Sequence, residues 1–385
     1  MGTGGTFEPM ARIALNGRLL VPGKMEGIGR FTLHCLEELV ALRPHDEFLL
    51  VVDRPMNDLF ALGPNVEVHR IRIPARRPWL IRWWFGRPLS RVLYSWKADA
   101  FVSLEGPLAT GMPETFPQLS VIHDLNFEHR PEGLPSVWAR FYRQEFPKYA
   151  RMAHALGTVS EYSRQDLSKT YGLDASLIHV FPNAADSSFI PSTEAEKEAS
   201  RQAHAKGNRY FVFVGSIHPR KNVDGLLAAF ETYCELGGTW DLVVVGVAMW
   251  SAELPEMGDA ASGRVHLVGR LNHEALVSAL AGAEGMVFVP WFEGFGIPVV
   301  EAMACSVPVI ASNVTALPEV CGEAAFAMVD PADSDAIAHR MMELESDPTK
   351  AHNAAERGLR RSAEYSWSKT AVKLSQSLDL ILAPS

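Results

Sequence analysis

The sequence predicts an α/β protein made of two doubly wound, parallel-sheet domains. Short apolar, β-branched runs alternate with amphipathic stretches of helical period, the pattern of βα units. The alternation occurs twice, with the polar stretch from Pro191 to Asn208 between the two series. At roughly 100–200 residues per domain, a chain of 385 residues is long enough for two or three cores. With 47% apolar and 21% charged residues, and 19 Phe, 9 Trp and 8 Tyr, it is neither a disordered chain nor a disulfide-stapled miniprotein.

In the first series the strands are expected at Arg12–Asn16, Phe48–Asp53, Val66–Ile73, Ala100–Leu104, Leu119–Ile122, Ala155–Val159 and Ile178–Phe181. Helices fit between them, notably Ile28–Leu42 and Glu161–Tyr171. The polar stretch 191–208, rich in Glu and Lys, reads as a linker with some helix. Strands resume at Tyr210–Val214, Asp241–Val245, Val265–Val268, Gly285–Val289 and Pro308–Ala311, with helices starting near Asn222, Asn272, Ile297 and Asp333. A last helix is expected over Ser366–Leu382, whose Val372, Leu374, Leu378 and Ile381 share a face. The expected domains are therefore 1–190 and 209–365, with 366–385 as a C-terminal helix. Residues 1–9 are expected to be loose, with the fold beginning near Met10.

A net charge of −9 argues against a diffuse attraction to nucleic acid, so any anion site must be local. The four cysteines form no C-x-x-C pair and have no His at metal-ligand spacing, which fits a reducing cytoplasm. No stretch approaches the ~18–20 uncharged apolar residues needed to span a bilayer; the longest candidate is Leu242 to Trp250. The N-terminus lacks the basic start and apolar core of a signal peptide.

Ligands of doubly wound sheets bind beyond the strand C-terminal ends. The most specific motif there is Glu293-Gly294-Phe295-Gly296-Ile297-Pro298-Val299-Val300-Glu301. Its glycines allow close backbone approach, and Pro298 suits a first helical turn. The N–H groups of Phe295, Gly296 and Ile297 are expected to face an anion, with the helix dipole behind them. Glu293 and Glu301 can accept hydrogen bonds from vicinal hydroxyls; the competing reading is a Gly-rich turn with two solvated glutamates. The second motif, Gly215-Ser216-Ile217-His218-Pro219-Arg220-Lys221-Asn222 after the strand Tyr210–Val214, places adjacent cations at a helix entry beside the same sheet edge, suited to a diphosphate; the competing reading is a solvated Arg-Lys face.

Gly27-Ile28-Gly29-Arg30 carries only part of a dinucleotide fingerprint, since Thr32 stands where a third glycine belongs, so a nicotinamide enzyme is a poor reading. His123-Asp124 ends a strand at the ligand-binding edge. Asp333-Ser334-Asp335 is expected to cap a helix rather than bind metal. From Arg70 to Lys97 there are eight basic and no acidic residues, interleaved with Trp79, Trp83, Trp84, Phe85, Tyr94 and Trp96. This composition suits an anionic membrane surface, or else a packed amphipathic helix with solvated arginines.

Taken together, these segments resemble retaining glycosyltransferase family 4, which has the GT-B fold of two Rossmann-like domains facing across a cleft. The Glu-x7-Glu signature is present as Glu293 and Glu301, and the phosphate motif as Arg220-Lys221. Gly27–Arg30, His123-Asp124-Leu125, Thr158–Ser163 and Leu317–Val320 follow in the expected order. The resemblance implies that Arg220 and Lys221 neutralise the donor diphosphate and Glu301 binds the ribose. It also implies that Glu293 and His123 touch the transferred sugar, that backbone at Gly29 and Phe295–Ile297 completes the cradle, and that Arg270 and Leu271 flank the base. Glu293, His123, Arg220 and Lys221 form the expected catalytic set, without metal or cofactor. There are three departures from the family pattern: Ser216 where many relatives carry arginine, which leaves more of the phosphate role to Arg220 and Lys221, and, concerning mainly the backbone, Asn183-Ala184 where Asn-Gly is common and Ser306 where glycine is frequent.

The implied function is transfer of a hexose, in the first place mannose from GDP-mannose, to a saccharide or lipid-linked saccharide, as in bacterial surface polysaccharide assembly. The C-terminal helix is expected to pack back on the first domain, and the protein to act in the cytoplasm at the inner face of the membrane. UDP- and dTDP-sugar donors, an epimerase and a silent scaffold are the alternatives; the intact Glu293, Glu301, Arg220 and Lys221 argue against the last two.

Overall fold

The apolar runs form buried parallel strands in two sheets. A computed structural model describes residues 10–21, 25–55, 62–248 and 258–383. Residues 1–9, the end of the Leu242–Trp250 run and residues 384–385 lie outside the described residues. The first sheet holds β1 (Arg12–Asn16), β2 (Glu47–Val52), β3 (Val66–Arg70), β4 (Ala100–Ser103), β5 (Gln118–Val121), β6 (Ala155–Thr158) and β7 (Ile178–Val180), in the order β3-β2-β1-β4-β5-β6-β7. The second holds β8 (Tyr210–Val214), β9 (Asp241–Val245), β10 (Val265–Gly269), β11 (Gly285–Phe288), β12 (Val309–Ser312) and β13 (Ala327–Val329), in the order β10-β9-β8-β11-β12-β13. All pairings are parallel. β13 was not anticipated, because a three-residue edge strand carries too little pattern.

The helices are α1 (Gly27–Leu42), α2 (Pro78–Phe85), α3 (Arg87–Trp96), α4 (Asn126–His129), α5 (Ser136–Met152), α6 (Glu161–Tyr171), α7 (Glu194–Ala205), α8 (Val223–Glu235), α9 (His273–Ala281), α10 (Ile297–Ala304), α11 (Leu317–Cys321), α12 (Ser334–Ser346), α13 (Pro348–Ser362) and α14 (Trp367–Leu382).

The stretch read as a linker is in large part α7. Thr193 and Glu196 form a reciprocal capping box at its start, which satisfies two of the free helix N–H groups. The helix docks on α9, where Ser200 Oγ donates to the Ser278 carbonyl at 2.8 Å. Only the small Ser200 and Ala205 are buried, which explains why the sequence looks uniformly polar there. The chain thus crosses between the sheets over residues 181–193, ahead of α7.

α14 packs against α1, placing Leu374 and Leu378 in one cluster with Leu36, Leu39 and Phe31. Arg43 donates to Asp379 at 2.6 Å and to Ser375 at 3.0 Å, and Thr370 to the Pro182 carbonyl at 2.6 Å. Phe295, Val300 and Val320 of the second domain are buried in the same cluster, so apolar packing continues from one domain into the other. Strand order reverses between β1 and β4 in one sheet and between β8 and β11 in the other. These switch points open a crevice at the strand C-terminal ends.

Candidate active site

The cationic motif is built by local turn chemistry. Pro219–Lys221 forms a single 3-10 turn, capped by His218, whose Nδ1 accepts from the Arg220 N–H at 3.2 Å. Asn222 follows in the left-handed region at φ 56°. Its Nδ2 donates to the Val289 carbonyl at 3.0 Å and to Pro331 at 2.8 Å, tying the turn to the end of β11. Arg220 and Lys221 are thereby directed between the ends of β8 and β11.

Both cations meet Glu293. Arg220 Nη1 donates to Glu293 Oε1 at 2.7 Å and to the Phe292 carbonyl at 3.0 Å, and Lys221 Nζ bonds the same Oε1. Burial and the neighbouring Arg220 pull the Lys221 ammonium below its ordinary value, against the attraction of Glu293. Within the second domain, two cations on one carboxylate leave one positive charge in excess, with Asp124 of the first domain acting on both cations from across the cleft. Such a site favours a dianion.

The loop after Glu293 then turns into α10. Gly296 sits at φ 98°, and a Cβ there would meet Leu317 Cδ2 at 2.6 Å, so glycine is required at this position. Phe295 is buried and packs edge-on to Tyr365, so only its backbone is free to line the cleft. Glu301 is buried on α10 and accepts from Arg30 Nη1 of α1 at 3.1 Å, across the cleft.

On the first domain, His123 Nε2 lies 2.8 Å from the Leu104 carbonyl, which assigns the proton to that nitrogen and leaves Nδ1 as an acceptor. Burial lowers its pKa, so the ring is neutral near pH 7. The ring stands edge-on to Phe31 at 4.8 Å. Gly29 lies in the first turn of α1, where a Cβ would meet the Leu19 carbonyl at 2.8 Å; its small size admits its own chain as well as exposing helix backbone. Arg270 reaches across the cleft to Glu26 at 3.1 Å, whereas Leu271 packs on the second-domain core. The predicted residues thus lie along facing strand edges.

Sequence reasoning missed several cross-cleft contacts. The Glu319 carboxylate accepts from the Glu161 and Tyr162 N–H groups at 2.8 and 2.9 Å, so the second domain caps the start of α6. Arg130 lies over the Trp291 ring at 5.2 Å and His129 stacks on Phe292 at 5.4 Å. Gly294 abuts the His123 backbone, and Ser163 Oγ donates to its carbonyl at 3.3 Å. Asp124 Oδ1 accepts from Asn126, holding that carboxylate beside Gly294. No one-dimensional signal pairs such residues. A groove of about 340 Å³ lined by Arg209, Trp240 and Glu284 opens at the opposite edge of the second sheet, away from all these groups.

Among the described residues, no three His, Cys, Asp or Glu side chains are grouped to hold a metal ion. Asp333 Oδ1 accepts from the Ala336 N–H at 2.8 Å and caps α12. Ser306 adopts φ 58°, a left-handed conformation that suits the glycine expected there from the family resemblance.

Two family models cover most of the chain: Glycosyltransferase Family 4 matches residues 25–189, and Glycosyl transferases group 1 matches residues 194–361. The chain belongs to glycosyltransferase family 4. It is 27% identical over 372 residues to O-antigen chain mannosyltransferase B of Escherichia coli, covering 89% of this chain and 93% of that one. It is 28% identical over 237 residues to a GDP-mannose-dependent monoacylated alpha-(1-6)-phosphatidylinositol monomannoside mannosyltransferase of Corynebacterium glutamicum, covering 58% and 62%. Among solved structures, the sucrose-phosphate synthase of Thermosynechococcus elongatus superposes with a TM-score of 0.78 at 18% identity, covering 97% of this chain and 100% of that one. The likeness establishes the GT-B fold. As a family member, the protein is a glycosyltransferase acting with a nucleotide-sugar donor and a saccharide acceptor.

Proposed function

We propose that this family 4 enzyme transfers mannose from GDP-mannose, with retention of configuration, to a saccharide or lipid-linked saccharide. The observation that carries the reading is the pair of half-buried Arg220 and buried Lys221, held by Glu293 at the switch point of the second sheet. Diphosphate would replace Glu293 on the two cations and free that carboxylate for a hydroxyl of the sugar. Glu301 would accept from the ribose, with Arg270 and Leu271 beside the base. His123, neutral and with Nε2 engaged, would offer Nδ1 to a sugar hydroxyl. Charge developing on the departing diphosphate would be stabilised by Arg220, Lys221 and the N–H groups at the start of α10, an electrostatic contribution that requires no metal. Retention rests on the resemblance of the Glu293/Glu301 pair to retaining enzymes. The mannosyl donor is supported by the names of both relatives above.

The proposal includes contact with an anionic membrane through the first domain. Trp79 and Trp83 are 61% and 43% exposed, while Trp84 and Phe85 fill the core. Arg72, Arg76, Arg77, Arg87 and Arg91 of the same segment are exposed as well, whereas Arg82 is paired with Glu145 at 2.9 Å. Exposed indoles among arginines suit a lipid interface. No described helix is long and apolar enough to cross a membrane. The Corynebacterium glutamicum relative's name specifies a lipid acceptor. The site of action would be cytoplasmic, at the inner face of the membrane.

The test is nucleoside diphosphate release from GDP-mannose, UDP-glucose and a dTDP-sugar in the presence of bacterial lipid-linked saccharides, with the product's anomeric configuration read by NMR. Release from GDP-mannose with an α-mannoside product is expected. Release only from a UDP- or dTDP-sugar overturns the donor, a β-product overturns retention, and absence of release from all three overturns the enzymatic reading.

A further inference from the structure

Among the described residues, Glu301 is paired with no cation of its own domain. Its side chain is 4% exposed, and among the described residues its one ion pair is to Arg30, at 3.1 Å, from α1 of the other domain. We propose that Arg30 is a positioning residue for the nucleotide: it holds the Glu301 carboxylate in place to accept the vicinal hydroxyls of a donor ribose. The ribose site is then complete only when the two domains meet. This inference rests on the assignment of Glu301 to the ribose made above.

The geometry distinguishes positioning from blockade. Arg30 engages only Oε1, and a carboxylate offers about four acceptor directions, so Oε2 stays available to a diol. The surroundings explain why a cation is needed. His34, one turn beyond Arg30 on α1, lies 3.8 Å from Asp186 of the crossing segment, and Asp186 also faces His273 of α9 at 3.5 Å. The remaining charged groups on neighbouring elements are turned elsewhere. Glu293 faces Arg220 and Lys221, and Glu319 of α11 faces the α6 amides. Arg357 and Arg361 of α13 donate to the Glu323 and Val320 carbonyls. Cys305, one turn along α10, is a buried thiol. Burial raises the Glu301 carboxyl and Asp186 adds to the rise, while Arg30 first and His34 second oppose it.

The sign of the pH dependence follows. A ribose needs the ionised carboxylate, so affinity is full above the carboxyl's pKa and is lost as pH falls through it. Removing Arg30 moves that loss to higher pH.

The experiment is calorimetric titration with GDP, and UDP alongside, from about pH 5 to about pH 8.5, across the range where a raised carboxyl titrates. The proteins are wild type, Arg30→Gln, Arg30→Lys, Glu301→Gln and the double variant Arg30→Gln/Glu301→Gln, each checked by thermal melting. Arg30→Gln should bind roughly tenfold more weakly than wild type at the acid end of the range, the effect of about one pH unit on one proton, with the difference closing as pH rises. Arg30→Lys should restore most of the affinity. Glu301→Gln should bind weakly at every pH, and adding Arg30→Gln to it should cost nothing further. Arg30→Gln binding as tightly as wild type, or more tightly, overturns the inference. So does a loss that is constant across pH, or one that adds to that of Glu301→Gln. If wild type binds neither GDP nor UDP, the donor reading falls together with this inference.

Discussion

The two carboxylates at either end of the loop into α10 are the same residue type in one motif, yet they are held differently. Glu293 is neutralised twice within its own domain, by Arg220 and Lys221. Glu301 is neutralised once, by Arg30 of the opposite domain. Under the assignments proposed above, the contrast divides the cleft into a diphosphate end that the second domain carries ready-made and a ribose end that depends on the meeting of the two domains. On that reading, donor capture would be coupled to closure, which would exclude water from an activated sugar.

The largest effect expected is at the ready-made end. Arg220→Ala and Lys221→Ala should each lower turnover by about a hundred- to a thousandfold, or about 2.7–4 kcal/mol, by analogy with loss of an oxyanion donor. The partner cation still neutralises Glu293, so melting should move by less than the ~3–5 kcal/mol of a stripped buried pair. Near-wild-type kcat in both variants would remove the phosphate assignment.

Two glycines of the loop sharpen the comparison at an intermediate scale. Gly296→Ala puts a Cβ at φ 98° against Leu317 of its own domain, so about 1–3 kcal/mol of stability should be lost. Gly294→Ala instead puts a Cβ 2.5 Å from the His123 carbonyl and 2.8 Å from Asp124 Cβ, both across the cleft. That variant should keep its melting temperature and show a larger radius of gyration in solution scattering. If Gly294→Ala scatters as wild type does, the contact of this loop with His123 and Asp124 does not hold the two domains together.

The smallest effect per residue lies at the first domain's outer surface. Changing Arg76, Arg77 and Arg87 together to Gln should weaken binding to phosphatidylglycerol vesicles by about 1 kcal/mol per residue at low salt, less as salt rises. Donor affinity should be untouched, since none of these side chains reaches the cleft contacts described. Unaltered vesicle binding would reduce the segment to a packed helix pair.

Much of this was legible in one dimension. The strands showed because central parallel strands are buried on both faces and read as unbroken apolar runs. Glu293, Arg220 and Lys221 showed because residues serving one switch point must follow two particular strands of one sheet. What stayed hidden depends on long-range pairing. Arg30 was visible as part of Gly27–Arg30, but nothing in the sequence ties it to Glu301, which lies 271 positions away. Glu319 capping α6 and Arg130 over Trp291 are hidden for the same reason. α7 was blurred into a linker because its buried face is two small residues rather than a leucine stripe.

The most direct measurement is the affinity of Glu293→Gln and Glu301→Gln for GDP alone, by calorimetry, beside their turnover of GDP-mannose. If Glu293 serves the sugar and Glu301 the nucleotide, both variants lose transfer but only Glu301→Gln loses affinity for GDP. Glu293→Gln should bind GDP at least as tightly as wild type, because Arg220 and Lys221 no longer face a competing carboxylate. Equal loss of GDP affinity in the two variants, or full turnover in either, would contradict the division of the cleft into two ends.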